Sequence, residues 1–300
     1  MNSKRQKLYK IFWISLLSII LISAAMDIFC RTPDDFEVKA LNLSPETEMG
    51  VFLFHGAQDQ LNPELNAIAE KFTELLDFRD NLEVVNYDWS FGSSFRLRAS
   101  TNALKVGEAL GNELAAMKNL KYLRLIGHSA GAYIPDALCR AYRNGGGSAH
   151  IEITFLDAFG MRGFVDRGYG ARNHGSCADF ALNIVNTDDA APTTNSFLNN
   201  AWNLDVTGLL HPTGFILRQD PRTGEIDPML KLNAALDDVT RNLNNSAHQR
   251  NGHYWPPYYF LEILDLDMAS PAMRNHDEFP RGETIMAPSL LSADTSITIQ

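Results

Sequence analysis

The sequence is poor in cysteine and in basic clusters, and it contains no internal repeat. Its three cysteines, Cys30, Cys139 and Cys177, allow at most one disulfide and form no Cys-x-x-Cys pair. A disulfide framework and a cysteine-based metal site are therefore excluded. The His-Glu-x-x-His pattern is also absent, and we predict neither a metal nor a cofactor. The net charge of −10 and the scattered basic residues argue against nucleic acid as a partner.

The N-terminus has the composition of an export signal. Four basic residues within positions 4–10 precede a 16-residue apolar run, Ile11–Met26, which contains a Ser23-Ala24-Ala25 segment. This run is shorter than the ~20 residues that span a bilayer, but Ile28 and Phe29 extend it past Asp27. We expect residues 1–30 to be a signal peptide or an N-terminal membrane anchor, with the cleaved signal preferred. Either way, the protein is exported: secreted, periplasmic or held at a membrane.

Beyond a polar linker at residues 31–48, short apolar runs alternate with helical patterns. Such alternation favours a parallel sheet covered on both sides. We predict an α/β domain over residues 49–268, with a mostly parallel sheet and helices on both faces. Residues 269–300 carry prolines and charges, and we expect a poorly ordered tail. The runs that predict strands are Met49–Phe54, Leu82–Tyr87, Tyr122–Ile126, Ile151–Leu156 and Phe180–Val185.

The third predicted strand leads into Gly127-His128-Ser129-Ala130-Gly131, and a helical pattern follows. A serine on a tight strand-to-helix turn is the setting of a nucleophile elbow. Parallel sheets bind their ligands beyond the carboxyl ends of the strands. His55, Asp157 and Asp188 also follow predicted strands, so we expect their side chains to lie on the same edge as Ser129.

A serine nucleophile needs a base within hydrogen-bond reach and an acid that orients the base. His253, which precedes an aromatic segment, is our candidate base, and His248 is the competing histidine. Asp157 is the candidate acid. The alternative acid is Asp188 or its neighbour Asp189, after the next strand.

Taken together, these segments resemble the α/β-hydrolase superfamily, with a pattern nearest the lipase-like serine hydrolases of the pancreatic-lipase group. The resemblance covers roughly residues 49–265. Its departures are Ala158 in place of a proline and the lack of an evident C-terminal lipid-binding domain. The matching segments are Phe54-His55-Gly56, Tyr87-Asp88-Trp89, Gly92-Ser93-Ser94, the elbow, Phe155-Leu156-Asp157-Ala158, Asn186-Thr187-Asp188 and Gly252-His253-Tyr254-Trp255-Pro256.

The resemblance implies an α/β-hydrolase fold and a catalytic triad of Ser129, Asp157 and His253, in the chain order of that fold. The family pattern also favours Asp157 as the acid. The backbone N–H groups of Ala130 and Ala57 are the expected oxyanion hole. The implied reaction is hydrolysis of carboxylic esters, most naturally lipid acyl esters, through an acyl-enzyme.

Two other functions remain open on the same residues. One is a catalytically silent, lipase-like binding protein, and the other is a thioesterase or peptidase on the same scaffold. Residues 158–179 and 188–228 are candidate lid segments over the site. The side chains expected to form the apolar face of such a lid are Phe159, Phe164, Phe197 and Trp202.

Overall fold

The structure, a computed structural model, describes residues 3–60, 62–76, 79, 81–189, 191, 193–209, 252–269 and 274–288. The helices are α1 (Ser3–Arg31), α2 (Pro63–Leu76), α3 (Ser90–Ser93), α4 (Arg96–Ala115), α5 (Tyr133–Asn144), α6 (Tyr169–Asn173) and α7 (Trp255–Ala269), with 3-10 turns at Ser129–Ala132 and Gly252–Tyr254. The strands are β1 (Met49–Phe54), β2 (Leu82–Tyr87), β3 (Tyr122–His128), β4 (His150–Leu156), β5 (Phe180–Val185), β6 (Trp202–Asp205) and β7 (Thr284–Met286).

The strands form one sheet in the order β2-β1-β3-β4-β5-β6-β7, and every pairing is parallel. The expected α/β class is confirmed. Strand β1 pairs with β2 on one side and with β3 on the other, so that Phe54 aligns with both Tyr87 and Gly127. The strand order reverses at this point, and the crevice beyond the carboxyl ends of β1 and β3 is where such sheets bind ligands.

Helices cover both faces of the sheet, as predicted. Phe52 and Phe54 of β1 pack in one apolar core with α4 and α5, whereas Val51 and Leu53 pack in a second core with α2 and α7. Successive side chains of a strand point to opposite faces. A strand buried on both faces therefore needs an unbroken apolar run, and Met49–Phe54 is such a run.

Helices α4 and α5 pack with their backbones in close approach. An added Cβ at Gly107 would lie 2.7 Å from the Ala137 Cβ, and one at Gly111 would lie 2.7 Å from the Ala141 Cβ. Contacts this short are not tolerated between real carbon atoms, so both positions require glycine. The two glycines bring α5, which begins just after the elbow, directly against α4.

Two short strands differ from the sequence expectation. Strand β6 contains Trp202, which we expected on the apolar face of a lid. Its burial in the sheet contradicts that expectation. The polar residue Asn203 of this strand is buried as well, and the Asn183 side-chain amide donates to its Oδ1 at 2.9 Å. Strand β7 lies within the expected tail, where Thr284–Met286 pairs with β6 and completes the sheet.

Residues 31–48 do more than link α1 to the sheet. Leu41 and other apolar residues of this segment pack against the core beside α4. The Arg98 guanidinium of α4 also binds Asp34 at 2.6 Å, and the Leu41 N–H donates to the Glu113 carboxylate at 3.0 Å. This segment is thus fastened along α4 for most of its length.

The N-terminal helix and one disulfide bear on the location of the protein. Within α1, Tyr9–Arg31 is long and apolar enough to cross a membrane, which is compatible with either an anchor or a signal sequence. Cys139 of α5 forms a disulfide with Cys177, while Cys30 is free and buried. The chain thus contains the single disulfide that its three cysteines allow.

Candidate active site

Ser129 lies on a strained turn between β3 and α5. Its φ of 54° falls in the left-handed region, which costs a residue with a side chain about 1–2 kcal/mol. The turn is tight because Gly127 and Gly131 flank the serine. A Cβ at Gly127 would lie 2.7 Å from the Ala132 Cα, and one at Gly131 would overlap the backbone at the end of β1. Strain at a half-exposed serine beyond a buried strand is typical of a functional site.

The loop after β1 packs directly against this turn. A Cβ at Gly56 would lie 3.0 Å from the Ser129 Cβ and 3.5 Å from its Oγ. Ala57 follows Gly56, and Ala130 follows Ser129, so the two predicted oxyanion donors belong to segments in contact. His55 is buried and structural: its carbonyl accepts the Trp89 indole N–H at 2.8 Å, and its ring stacks on Trp89.

His253 lies at the same edge, in the turn before α7. Its Nδ1 is 3.1 Å from the Asp157 Oδ2 and 3.0 Å from the Asp189 Oδ2. Carboxylates beside Nδ1 require a proton on that nitrogen, which leaves Nε2 as the ring atom available for accepting a proton. The structure thus joins the predicted base to the predicted acid and to a second carboxylate.

Both carboxylates are held by the backbone. The Asn186 N–H donates to the Asp157 Oδ1 at 2.9 Å, and Asp157 itself has a left-handed φ of 47° at the end of β4. The Ala191 N–H donates to the Asp189 Oδ1 at 3.0 Å, and the Thr194 hydroxyl donates to its Oδ2. Each acid is therefore positioned independently of the histidine that it contacts.

The three groups shift one another's protonation. Burial raises the pKa of Asp157 to about 8. Burial also opposes ionisation of Asp189, but hydrogen bonds from His253, Thr194 and Ala191 hold its pKa far below the usual value. Burial would lower the pKa of His253, yet the two carboxylates outweigh it and raise that pKa to about 10. The two carboxylates thus favour the protonated form of His253.

His128 connects the elbow to the His253 segment. Its Nε2 donates to the His253 carbonyl at 3.1 Å, and the two imidazole rings are 4.6 Å apart. The Nδ1 of His128 is 3.2 Å from the Asp59 Oδ2, which also accepts the Asn62 side-chain N–H. Burial lowers the pKa of His128. No sequence motif indicated this bridge, because it depends on a backbone carbonyl that lies 125 residues away.

The structure sorts the predicted site residues into three groups. Ser129, Asp157, His253, Ala57 and Ala130 lie on the same edge of the sheet, although no Ser129–His253 hydrogen bond is formed among the described residues. The alternative acid Asp188 is exposed, whereas its neighbour Asp189, the other alternative, contacts the histidine. The competing base His248 lies outside the described residues.

One set of metal-ligating atoms occurs within the described part of the chain. It consists of Asp157, Asp189 and His253, whose ligand atoms lie within 4.8 Å of one another. The two nitrogen–oxygen distances of 3.0 and 3.1 Å are those of hydrogen bonds from Nδ1–H. A proton on Nδ1 accounts for this arrangement without a cation.

Comparison with models of known protein families finds no match to this chain, and no curated protein is significantly similar to it. The fold defines the chain as an α/β protein with a single parallel sheet. Its function must therefore be inferred from the site.

Proposed function

We propose that the protein is a serine hydrolase of the α/β-hydrolase type, which cleaves carboxylic esters, in particular lipid acyl esters. The observation that carries this proposal is the histidine–carboxylate contact of 3.1 Å between His253 and Asp157, on the edge where Ser129 occupies a strained turn. A nucleophile, a base and an acid at the switch point of a parallel sheet are the parts that acyl transfer requires.

In this reaction the Ser129 Oγ attacks the ester carbonyl carbon, and His253 Nε2 takes the hydroxyl proton. The tetrahedral oxyanion is bound by the backbone N–H groups of Ala57 and Ala130, each contributing about 3 kcal/mol of barrier lowering. His253 then gives its proton to the leaving alkoxide as the carbon–oxygen bond breaks. Water, activated by the same imidazole, hydrolyses the acyl-enzyme and restores Ser129.

Asp157 and Asp189 hold the His253 ring with its proton on Nδ1 and stabilise the imidazolium that forms. The 3-10 turn places the Ala130 N–H at the N-terminal end of a helical segment, where the aligned peptide dipoles favour negative charge. The strain at Ser129 keeps its hydroxyl raised from the sheet.

The protein is further proposed to act outside the cytoplasm. Disulfides persist in oxidising compartments, and the Cys139–Cys177 bridge lies in the domain that follows α1. The basic residues before the apolar run favour a cytoplasmic N-terminus, with the domain on the opposite side.

The test is covalent labelling combined with hydrolysis. A fluorophosphonate probe should label the protein, and Ser129→Ala should abolish both the labelling and the hydrolysis of short- and long-chain p-nitrophenyl esters. Ser176→Ala, at an exposed serine, is the matched control and should retain both. Labelling that persists in Ser129→Ala would refute the assignment of the nucleophile.

The substrate panel separates the remaining functions. Thioesters and peptide anilides should be poorer substrates than oxygen esters of the same acyl group. A protein that neither reacts with the probe nor turns over any of them would instead be the silent binding protein.

A further inference from the structure

Helix α1 enters the domain without a spacer. Cys30, in its last turn, is only 2% exposed, and its carbonyl accepts the Thr101 hydroxyl of α4 at 2.7 Å. The Phe29 carbonyl accepts the Arg98 Nε–H at 3.0 Å, and the guanidinium lies 3.9 Å from the centre of the Phe29 ring. One side of this last turn is therefore fastened to α4.

The other side of the same turn is fastened to the segment that follows β4. The Asp27 Oδ1 accepts the backbone N–H groups of Phe164 at 2.8 Å and Val165 at 3.2 Å. Asp27 also pairs with Arg31 at 2.7 Å. This pair covers Gly163, whose φ of 69° and lack of a side chain allow the helix to lie directly on the loop. The helix and the domain are thus joined from two sides.

Exposed apolar side chains surround this junction. We call them the exit patch: Phe29, Phe95, Leu97, Phe164 and Val165, each between 38% and 59% exposed. The Phe29 and Phe95 rings are in contact, with centroids 5.9 Å apart. Exposed large apolar side chains grouped at one place mark an interaction surface.

We propose that the exit patch rests on the bilayer from which α1 emerges, so that α1 is a retained anchor and the domain lies flat on the membrane. The length of the apolar run supports this. At 1.5 Å per residue, Ile11–Phe29 spans about 29 Å, close to the ~30 Å hydrocarbon core of a bilayer. Asp27 and Phe29 then lie at the membrane boundary, together with every segment fastened to them.

Basic side chains lie around the exit patch, and the two nearest acids, Asp27 and Asp166, are paired with Arg31 and Arg172. The chain as a whole is acidic, yet Arg96 separates Phe95 from Leu97 at the start of α4, and Arg162 and Arg167 flank Phe164 and Val165. Arg96 and Arg167 are exposed. Basic side chains around inserted apolar groups are the composition that binds lipid headgroups.

The exit patch and the candidate site share one edge of the domain. The Gln58 side chain, next to the proposed oxyanion donor Ala57, donates to the Ser94 carbonyl at 2.7 Å, immediately before Phe95. On the other side, the Phe159 N–H donates to the Ser129 carbonyl at 3.0 Å, in the segment that leads to Phe164. The membrane contact therefore holds both walls of the site, whatever reaction the site performs.

The test is the depth of spin labels on the full-length chain in vesicles of phosphatidylcholine and phosphatidylglycerol. Leu97→Cys and Val165→Cys place labels on the exit patch. Lys118→Cys, just past the far end of α4 and about 30 Å away along the helix, is the matched control. The chain without these substitutions is the blank, since Cys30 is buried and the other two cysteines are bonded.

Labels at 97 and 165 should be several-fold more accessible to oxygen, relative to a water-soluble nickel complex, than the label at 118. Equal accessibility at all three positions would overturn the proposal. Labels at 97 and 165 that are shielded from both reagents would also overturn it, because a second copy of the chain or another protein would then cover the patch. The intact mass of the membrane-extracted protein should include residues 1–31, and a chain that lacks α1 would refute a retained anchor.

Discussion

His253 has two carboxylate partners, and replacing them separately and together tests whether they act as alternatives. Asp157→Asn and Asp189→Asn each remove one acceptor of the Nδ1 proton while keeping the shape of the side chain. The two distances differ by only 0.1 Å, so in either variant the remaining carboxylate still orients the ring. We expect each single replacement to lower the catalytic efficiency, and the double replacement to remove the support of the ring altogether.

The expected losses of activity depend on whether His253 loses one of its two hydrogen bonds to a carboxylate or both. Losing one hydrogen bond to an ionised group costs about 1.5–3 kcal/mol, which is roughly a 10- to 150-fold loss of kcat/KM. Losing both leaves the imidazole without an acid, and such a loss costs about 10⁴-fold in kcat. The two single replacements should have similar costs, because the two contacts have nearly the same length.

The assay is kcat/KM for a p-nitrophenyl ester, with single turnovers to separate acylation from product release. Asp188→Asn, at an exposed carboxylate next to Asp189, is the matched control and should leave kcat/KM unchanged. If Asp157→Asn alone costs 10⁴-fold and Asp189→Asn stays within twofold of the parent, Asp157 is the sole acid, and the reasoning from a shared proton is wrong.

Three further predictions concern pH, packing and the disulfide. Because His253 must be neutral to act as a base and its pKa is raised to about 10, kcat/KM should rise with pH above neutrality, and Asp189→Asn should shift this limb to lower pH. Gly111→Ala should lower the free energy of unfolding in denaturant by about 1–3 kcal/mol through overpacking against α5. The Cys139–Cys177 disulfide closes a loop of 38 residues and so restricts the unfolded chain. Replacing both cysteines by serine removes this restriction and should lower the free energy of unfolding by about 4 kcal/mol.

Each of these three has its own control. A pH limb that does not move in Asp189→Asn would show that His253 does not set it. Asn112→Ala, at the exposed position beside Gly111, should have little effect on unfolding. A reductant should destabilise the parent protein by as much as the serine substitutions do, and it should leave the substituted protein unchanged.

The sequence predicts the bounds of three strands, of which Met49–Phe54 and Phe180–Val185 are buried on both faces and Leu82–Tyr87 is only partly buried. Met49–Phe54 is an unbroken apolar run because both of its faces are buried, and Phe180–Val185 departs from such a run only at the buried Asn183. Strand β6 lacks such a run. Its Asn203 is polar in the sequence, although in the structure this residue is buried and hydrogen-bonded to Asn183. Strand β7 has only three residues, all exposed at the sheet edge, and its two apolar residues are too few to form a run that predicts a strand.

For the site, strand ends and chain order indicate Ser129, Asp157 and His253, but they do not distinguish Asp188 from Asp189. That choice depends on the turn after β5, where the Asp189 N–H donates to the Asn186 carbonyl at 3.2 Å. This turn directs Asp189 inward and leaves Asp188 in solvent. A sequence pattern places both acids at the strand end and carries no information on which of them points inward.

If α1 is a retained anchor, the close approach of α4 and α5 ties the lipid environment to the orientation of the Ser129 edge. Helix α4 carries Leu97 of the exit patch at one end. Further along the helix, Gly107 and Gly111 allow its backbone to pack directly against α5. An anchor helix changes its tilt when the bilayer thickens or thins. With α1 fastened to α4, and α4 to α5, such a tilt would turn the domain as a whole and swing the Ser129 edge toward or away from the lipid. Membrane thickness would then set the distance between the Ser129 edge and the lipid surface.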